Sequence, residues 1–297
     1  MVINDTADWE SLVQHPEVQA LLDLAIAEDM GDDGDVTTDS IFLKAQQVQA
    51  VVAARTETVV CGVHLAHAIM KRFDPDLKPL NPMVEGSVAQ PGEVLFQLNG
   101  DIRSILKAER TILNFMIRLC GIANGARTAA EQVPEDCSAK IYDTRKTTPG
   151  WRLLEKAAVK TGGAFNHRVG LFDAVLIKDN HIAAAGSLKQ AIDMSRAKVG
   201  TSMIVQVEID GLNQLDEALS AGPDIILLDN FSDEDLRDAV KRTAGRAQLE
   251  ASGGIGIKDI TRVAQTGVDR ISMGALTHTV VPADLGLDML EASINEL

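Results

Sequence analysis

The sequence predicts an α/β protein, in which a small α+β region precedes a parallel sheet whose strands alternate with helices. After Ser138, β-rich apolar segments alternate with stretches of helical periodicity, which is the pattern of βαβ units. These segments end near Tyr142, Ile177, Val207, Leu228, Glu250 and Ser272. Six such strands, or seven if residues 169–172 form another, predict an open sheet or a short barrel, because a standard barrel has eight.

The N-terminal region is predicted to be a separate α+β domain. Residues 1–28 have helical periodicity, and Pro16 suits the first turn of a helix. Short β-type segments follow at residues 48–54, 58–61 and 94–98, and a helix over residues 63–72 interrupts them. A long helix is expected over residues 102–120, ending before Gly121.

Composition and charge exclude several classes of function. The chain has 297 residues, a formal charge of −15 and 45% hydrophobic residues, which is typical of a globular protein. The excess of acids argues against nucleic acid or a membrane surface as a partner, because phosphate binding needs surplus Lys and Arg. No segment approaches the ~18 apolar residues that a membrane span needs.

The cysteines and the N-terminus predict a cytoplasmic protein. Cys61, Cys120 and Cys137 are odd in number and far apart, which favours reduced thiols over disulfides or a zinc site. Residues 1–5 do not begin a secretory signal of basic and then apolar residues.

One segment has the opposite charge to the rest of the chain. Residues 140–182 contain eight bases and four acids, so the segment carries +4 and the remainder −19. We expect Arg152, Lys156 and Lys160 on a solvated helix face. The bases near strand ends are instead expected to line a pocket for a small anion, because charge-assisted hydrogen bonds hold carboxylates. These are Arg145, Lys146, Arg168 and Lys178, with His167 beside them.

Polar residues follow each predicted strand. Ligands of parallel α/β folds lie at the carboxyl ends of strands, although loops are often polar for no functional reason. Ser252-Gly253-Gly254 and Met273-Gly274-Ala275 are predicted to bind phosphate; the alternative is a tight turn that needs positive φ. Glu208 and Asp229 end neighbouring strands, which favours a magnesium or ribose-hydroxyl site over an acid–base pair or solvated strand ends.

Ordered sequence blocks across residues 28–278 identify a family. The chain resembles quinolinate phosphoribosyltransferase, also called nicotinate-nucleotide pyrophosphorylase (carboxylating). The blocks include Glu28-Asp-Met-Gly31, Gly34-Asp-Val-Thr-Thr38, Ala108-Glu-Arg110-Thr-Ile-Leu-Asn114, Asp143-Thr-Arg-Lys-Thr-Thr-Pro-Gly150, Asn166-His-Arg168, Leu176-Ile-Lys-Asp-Asn-His181, Leu228-Asp-Asn-Phe231, Ser252-Gly-Gly254 and Ile271-Ser-Met-Gly-Ala-Leu-Thr-His278. Two positions depart from the family pattern: Ala164 replaces a third glycine, and Trp151 replaces a leucine. Both are expected to reshape the loop before His167.

The resemblance implies two domains and an oligomer. An N-terminal α/β sandwich would span residues 1–115, with segment 279–297 packing on it. An atypical parallel α/β barrel of six or seven strands would span residues 116–278. Two subunits would form a homodimer, with a higher oligomer also open, in which Arg110 of one subunit reaches into the site of its neighbour.

The resemblance also implies the reaction and the residues that perform it. Quinolinate and phosphoribosyl pyrophosphate, with Mg²⁺, would give nicotinate mononucleotide, CO₂ and pyrophosphate. The basic residues would bind the two carboxylates of quinolinate, while Glu208 and Asp229 serve ribose and Mg²⁺–pyrophosphate. Lys146, Lys178, Glu208 and Asp229 are the expected catalytic residues. The implied substrate-binding residues are Arg110, Thr144, Arg145, Lys146, His167, Arg168, Lys178, Glu208, Asp229, Ser252, Gly253, Gly254, Met273, Gly274 and Ala275.

Two other functions stay open on the sequence. Lys178 at a strand end suits a Schiff base in an aldolase-like lyase. A non-catalytic sensor or transport-associated relative would bind a phosphorylated anion without turnover.

Overall fold

A computed structural model describes residues 7–290, which form two compact units. The described part of the first unit comprises residues 7–126, 147–163 and 280–290, and the second comprises residues 127–146 and 164–279. This division assigns residues 116–126 and 147–163 differently from the predicted domain boundary at 115/116. Residues 1–6 and 291–297 lie outside the described residues. The first range contains the segment in which no secretory signal is predicted, and the second is the end of the segment 279–297 that is predicted to pack on the N-terminal domain.

The first unit contains a three-stranded antiparallel sheet. Its central strand β1 (Gln47–Ala54) pairs with β4 (Val94–Asp101) and with β11 (Leu285–Met289). Two further short strands, β2 (Thr58–Val59) and β3 (Val88–Ala89), form a separate antiparallel pair. Its helices are α1 (Trp9–Val13), α2 (Pro16–Met30), α3 (Val36–Ile41), α4 (Val63–Phe73), α5 (Ile102–Glu131), whose last residues enter the second unit, and α6 (Arg152–Thr161).

Local sequence explains where several of these helices begin. Pro16 occupies the first turn of α2, as predicted, because its missing N–H would have no partner there. Asp35 caps α3 by accepting the N–H of Thr38 at 2.9 Å. The core of the unit contains fully buried side chains from strands and helices, including Phe96 and Phe115.

The predicted end of the long helix at Gly121 was wrong, since α5 continues to Glu131. A side chain at position 121 would collide with the backbone of Val281 and Pro282. Gly121 therefore permits a close approach between α5 and the segment that leads into β11, and it does not stop the helix.

The second unit is a six-stranded parallel sheet with helices between its strands, which confirms the predicted α/β class. The strands are β5 (Lys140–Tyr142), β6 (Val175–Ile177), β7 (Val205–Ile209), β8 (Ile225–Asp229), β9 (Gln248–Ser252) and β10 (Arg270–Ser272). Their order is β5-β10-β9-β8-β7-β6. A seventh strand at residues 169–172 is absent from the described structure, where these residues form bends.

The helices of the second unit follow the strands as βαβ units require. They are α7 (Asp179–Ala185), α8 (Leu188–Val199), α9 (Leu215–Ala221), α10 (Asp233–Thr243), α11 (Ile260–Ala264) and α12 (Ala275–His278). Ser232 caps α10, and acidic residues fill the first turn of that helix where the dipole favours them. Within residues 7–290, no helix combines the length and apolarity needed to cross a bilayer.

The register of the sheet aligns the polar side chains of neighbouring strands. Glu208 of β7 lies opposite Leu227 of β8, which lies opposite Glu250 of β9. Glu250 in turn lies opposite Arg270 of β10, and Asp229 lies opposite Ser252. Because aligned residues point to the same face of a sheet, these side chains share one side.

Candidate functional site

A cavity of about 490 Å³ lies at the carboxyl ends of the parallel strands. Most of the residues around it come from strand ends and from the loops that follow them, as expected for a parallel α/β fold. The lining residues are Thr144, Arg145, Lys146, His167, Arg168, Leu176, Lys178, Glu208, Leu227, Asp229, Glu250, Ser252 and Ser272. The structure thus brings together the basic residues and the two carboxylates that the sequence placed at strand ends.

Two arginines, Arg145 and Arg168, lie near one another in the basic wall of the cavity. Burial, and then the neighbouring charge of Arg145, lower the pKa of Arg168. The Nε of Arg145 is buried without a hydrogen-bond partner among residues 7–290. Two guanidiniums that repel one another in a partly buried wall favour a bound anion with more than one negative group.

Lys178 pairs with one of the two carboxylates. Its Nζ lies 2.6 Å from Oε2 of Glu208, and about half of the Lys178 side chain is exposed. Lys178 is also the N-cap residue of α7, so its position is fixed where β6 passes into that helix.

Asp229 is oriented by its neighbour in the chain. The side-chain amide of Asn230 donates to Oδ2 of Asp229 at 2.8 Å. Asn230 has a φ of +58°, a conformation that asparagine tolerates better than most residues. The carboxylate therefore sits at the start of a sharp turn at the end of β8.

His167 is held by three contacts, two of which involve acids. Its backbone N–H donates to Oδ1 of the buried Asp143 at 2.7 Å. Its ring Nδ1 accepts the N–H of Arg168 at 2.8 Å, and its Nε2 lies 3.4 Å from Oε1 of Glu250. These contacts fix the backbone and the ring of His167 together.

Glu250 is a cavity residue whose function the sequence analysis did not identify. It is 0% exposed and receives Gln206 Nε2 at 3.1 Å, while Nε of Arg270 lies 2.8 Å away. An acid between Leu249 and Ala251, in the middle of the buried strand Gln248–Ser252, was the available signal. Ser272, Leu176 and Leu227, which also line the cavity, carry no such signal.

One of the two predicted phosphate loops, residues 252–254, borders two cavities. Ser252 lines both the main cavity and a second one of about 230 Å³, which Gly253 and Gly254 also line. Gly253 has a φ of +103°, and a Cβ there would meet the backbone N of Asn230 at 2.8 Å. The turn therefore needs glycine for both conformation and space.

The remaining predicted site residues do not line either of these cavities. Met273, Gly274 and Ala275 lie after β10, and a Cβ on Gly274 would approach Cδ of Lys146 to 3.0 Å. Arg110 is exposed on α5 in the first unit.

The prediction that three bases of α6 face solvent was wrong. Lys156 is only 2% exposed, and Arg152 and Lys160 are half-buried. Nε of Arg152 donates to Oγ1 of Thr147 at 3.0 Å. The helix packs its long side chains within the first unit, where their aliphatic stems can be buried.

Trp151 packs inside the first unit and does not line either cavity. Its ring stacks on Phe115 with centroids 4.5 Å apart, and the guanidinium of Arg118 lies 5.6 Å from the ring centroid. Ala164 is buried and is the first residue of the segment 164–279 of the second unit.

The donor set suits a magnesium ion that is shared with a substrate. Within residues 7–290, no group of three or more His, Cys, Asp or Glu side chains could hold a metal alone. Glu208 and Asp229 offer two carboxylates at one cavity. This matches Mg²⁺, which binds one or two carboxylates together with substrate phosphates and water.

Comparisons with known proteins agree along nearly the whole chain. The family model described as quinolinate phosphoribosyl transferase, C-terminal domain, matches residues 122–288, and the N-terminal domain model matches residues 35–120. A probable nicotinate-nucleotide pyrophosphorylase (carboxylating) of Bacillus subtilis is 39% identical over 93% of this chain and 95% of its own. The corresponding protein of Mycobacterium leprae is 40% identical over 89% and 94%.

A solved structure is similar over the same extent. The nicotinate-nucleotide pyrophosphorylase from Francisella tularensis has a TM-score of 0.89 and 38% identity to this chain. The match covers 94% of this chain and 99% of that one. The likeness therefore includes both units.

Proposed function

Because the chain belongs to the quinolinate phosphoribosyltransferase family, we propose that it transfers phosphoribosyl from phosphoribosyl pyrophosphate to quinolinate. The reaction releases CO₂ and pyrophosphate and yields nicotinate mononucleotide for de novo NAD biosynthesis. One observation carries the assignment to this cavity: Arg145, Lys146, Arg168 and Lys178 surround it. Quinolinate presents two adjacent carboxylates, which suit a wall of mutually repelling bases.

Each side of the cavity has its own task in this proposal. Arg145, Arg168 and Lys178, with Lys146 and His167 beside them, bind the dicarboxylate. Glu208 and Asp229 face the ribose and the pyrophosphate. Thr144 lines the basic side, and the turns at residues 252–254 and 273–275 receive the 5′-phosphate through backbone N–H groups.

The chemistry follows from this separation of charge. The C1–O bond of the ribose breaks, pyrophosphate leaves with the electron pair, and the pyridine nitrogen attacks C1. The adjacent carboxylate then leaves as CO₂, its electron pair passes to the ring carbon beside the new pyridinium nitrogen, and a proton is added there. Basic side chains stabilise the departing negative charge, and a partly buried wall strengthens that effect.

Glu208 and Asp229 are the residues that would hold Mg²⁺, together with the pyrophosphate oxygens. When bound, the ion supplies positive charge that neutralises the leaving group. Lys178 holds Glu208 at 2.6 Å, so it also sets the position from which that carboxylate faces the substrate.

The direct test mixes the protein with quinolinate, phosphoribosyl pyrophosphate and Mg²⁺. We expect equal amounts of CO₂ and pyrophosphate, with nicotinate mononucleotide as the third product. If correctly folded protein forms no nicotinate mononucleotide, the proposal is rejected. Tight binding of both substrates without turnover would instead support a non-catalytic binding protein.

The ion pair between Lys178 and Glu208 argues against a lyase that uses a Schiff base. A lysine nucleophile attacks a carbonyl through its Nζ, whereas Nζ of Lys178 is engaged by Oε2 of Glu208 at 2.6 Å. Borohydride reduction in the presence of a carbonyl substrate should therefore trap no adduct on Lys178.

We further propose a homodimer in which Arg110 completes the site of the neighbouring subunit. Arg110 is exposed and lies outside the cavity lining of its own chain. Mixed Arg110→Ala and Lys178→Ala proteins should regain activity, because a hybrid dimer contains one site with neither substitution. No recovery despite demonstrated subunit exchange would reject a shared site.

We infer a cytoplasmic location from the chemistry of the cysteines. All three are free thiols, and Cys61 and Cys120 are buried. Free thiols persist in a reducing compartment. Fractionation of the cells that produce the protein tests this location.

A further inference from the structure

Glu250 is the fully buried carboxylate that lines the substrate cavity. One of its oxygens, Oε2, accepts a hydrogen bond from Gln206 Nε2 at 3.1 Å and forms an ion pair with Arg270, whose Nε lies 2.8 Å away. The guanidinium of Arg270 also lies 3.7 Å from the centroid of the Tyr142 ring. Side chains from neighbouring strands thus hold this carboxylate in one orientation.

The carboxylate is ionised in this setting. Burial acts to raise the pKa of Glu250, but the contact with His167, the charge of Arg270 and the hydroxyl of Ser272 keep the pKa below its ordinary value. Both oxygens are therefore acceptors. Oε2 has Gln206 as a donor, whereas Oε1 makes no hydrogen bond of standard geometry within residues 7–290 and has Nε2 of His167 facing it at 3.4 Å.

The second oxygen determines the state of His167. Because Nδ1 of His167 accepts the N–H of Arg168 at 2.8 Å, it carries a lone pair in this arrangement. The ring proton is then on Nε2, which faces Oε1 of Glu250 at 3.4 Å. Both ring nitrogens are thus engaged within the chain, and the ring connects Glu250 to the backbone of Arg168.

Arg168 is the residue of this group that would bind the substrate. Its guanidinium lines the cavity and donates to the carbonyl of Ala174 at 3.1 Å. Its backbone N–H is tied to His167, whose own backbone N–H is tied to Asp143. The position of the guanidinium therefore depends on contacts at both ends of the residue.

We propose that Glu250 is a positioning residue which, by fixing the Nε2–H tautomer of His167, holds Arg168 in place to bind a substrate carboxylate. This inference deepens the proposed function, and its kinetic test rests on that function. In this inference His167 serves the dicarboxylate site through its support of Arg168.

The substitution Glu250→Gln tests the tautomer because the replacement has nearly the same shape. Gln206 donates a hydrogen bond to Oε2 and the charged Arg270 lies against the same oxygen, so we expect the amide oxygen of the replacement to take that side. The amide NH₂ then faces Nε2 of His167, where two donors would oppose each other. We expect His167 to shift to the Nδ1–H tautomer and to lose its bond with the N–H of Arg168.

Nitrogen-15 NMR of histidine-labelled protein measures this without any substrate. The His167 signals are assigned by their absence in His167→Ala. The wild type should show a protonated Nε2 and an unprotonated Nδ1, and Glu250→Gln should show the reverse. The proposal is wrong if wild-type His167 carries its proton on Nδ1, or if Glu250→Gln leaves the tautomer unchanged.

Kinetics then test whether the connection reaches Arg168. We expect Glu250→Gln to raise KM for quinolinate about tenfold, the effect of about 1.4 kcal/mol, with a smaller change for phosphoribosyl pyrophosphate. In an Arg168→Ala background, the same substitution should change KM for quinolinate less than about twofold, because residues that act together are not additive. Equal effects in both backgrounds would overturn the proposal.

Asp269→Asn is the matched control. Asp269 accepts the N–H of Leu249 at 2.7 Å, so it also supports β9, but it does not line the cavity. We expect this variant to keep the wild-type tautomer of His167 and the wild-type KM for quinolinate. A tautomer shift in Asp269→Asn would assign the effect to general loosening of the sheet and overturn the proposal.

The two levels of the inference fail separately. If the wild type makes no nicotinate mononucleotide, the proposed function fails, while the NMR result still decides the tautomer. If turnover is normal and the tautomer is not as stated, only the role of Glu250 fails.

Discussion

Seven of the eight bases of residues 140–182 form two groups in different units of the molecule. Arg145, Lys146, Arg168 and Lys178 belong to the second unit and line a cavity. The bases of α6 belong to the first unit, where Lys156 is buried and Arg152 contacts Thr147. Bases that are near each other in sequence therefore have different surroundings.

The difference shows what a cluster of charge along a chain does and does not reveal. In the first unit, the Arg118 guanidinium meets Glu155 at 2.6 Å, so a base is matched by a buried acid. In the cavity, burial and the neighbouring charge of Arg145 lower the pKa of Arg168, and Lys178 meets a carboxylate, Glu208, that itself lines the cavity. Bases gathered around a cavity mark a binding site, whereas a base matched by a buried acid marks packing.

The largest expected effect is on the bases that line the cavity. Lys178→Ala should lower kcat/KM about 10²- to 10³-fold, because removing one electrostatic donor costs about 2.7–4 kcal/mol of transition-state stabilisation. Steady-state assays with both substrates measure this loss. Lys189→Ala removes an exposed lysine that pairs with Asp193 and should leave kcat/KM unchanged. Equal losses in both variants would remove the distinction between the groups.

The next effect is on stability in the first unit. Arg118→Ala should lower the free energy of unfolding by about 3 kcal/mol, since Glu155 is 0% exposed and loses its ion-pair partner, although the N–H of Thr148 still donates to it at 3.2 Å. Urea denaturation measures the change. Arg127→Ala breaks an exposed pair on the same helix and should cost less than about 0.5 kcal/mol. A similar cost for both arginines would contradict the assignment of Arg118 to packing.

A smaller effect concerns pH. Because the folded-state pKa of Glu250 is below its ordinary value, its contribution to stability is present above the unfolded pKa of about 4.3. It is lost as the pH falls through the lower folded value. Urea unfolding between pH 6 and pH 3 should therefore show a steeper loss for the wild type than for Glu250→Gln. Parallel curves would show that Glu250 does not gain this stabilisation.

The smallest effect is expected at Trp151. Trp151→Leu removes the stacking with Phe115 and the contact with Arg118, and should cost about 1 kcal/mol of unfolding free energy. Thermal unfolding measures the loss. KM for quinolinate should not change, because Trp151 does not line the cavity. A changed KM would show that this residue shapes the loop before His167.

Prediction from sequence succeeded where spacing along the chain decides the structure. The six strands and the start of α2 at Pro16 follow from local patterns. The prediction that the long helix ends at Gly121 failed because a glycine is needed there for close contact with residues 281–282, which lie far along the chain. The prediction of a seventh strand at residues 169–172 failed because the same short apolar pattern suits bends as well as a strand.

The sequence predicted those residues of the candidate site that lie at the carboxyl ends of strands, because the strand ends themselves could be predicted. Strand alternation placed Lys178, Glu208 and Asp229 at one edge of the sheet, and family blocks named their roles. The sequence could not distinguish Glu250, a buried acid in the cavity, from Glu155, a buried acid in the first unit. Both lie in apolar surroundings and both meet an arginine, so only their neighbours in space separate them.

The sequence by itself determined the α/β class, the family and the set of basic and acidic residues available for chemistry. It did so because periodicity and motifs are local properties of the chain. Only the tertiary structure decided which bases are matched by acids, that α6 buries Lys156, and that Glu250 reaches His167. Those outcomes depend on parallel strands that bring distant residues into register, and no local pattern records that register.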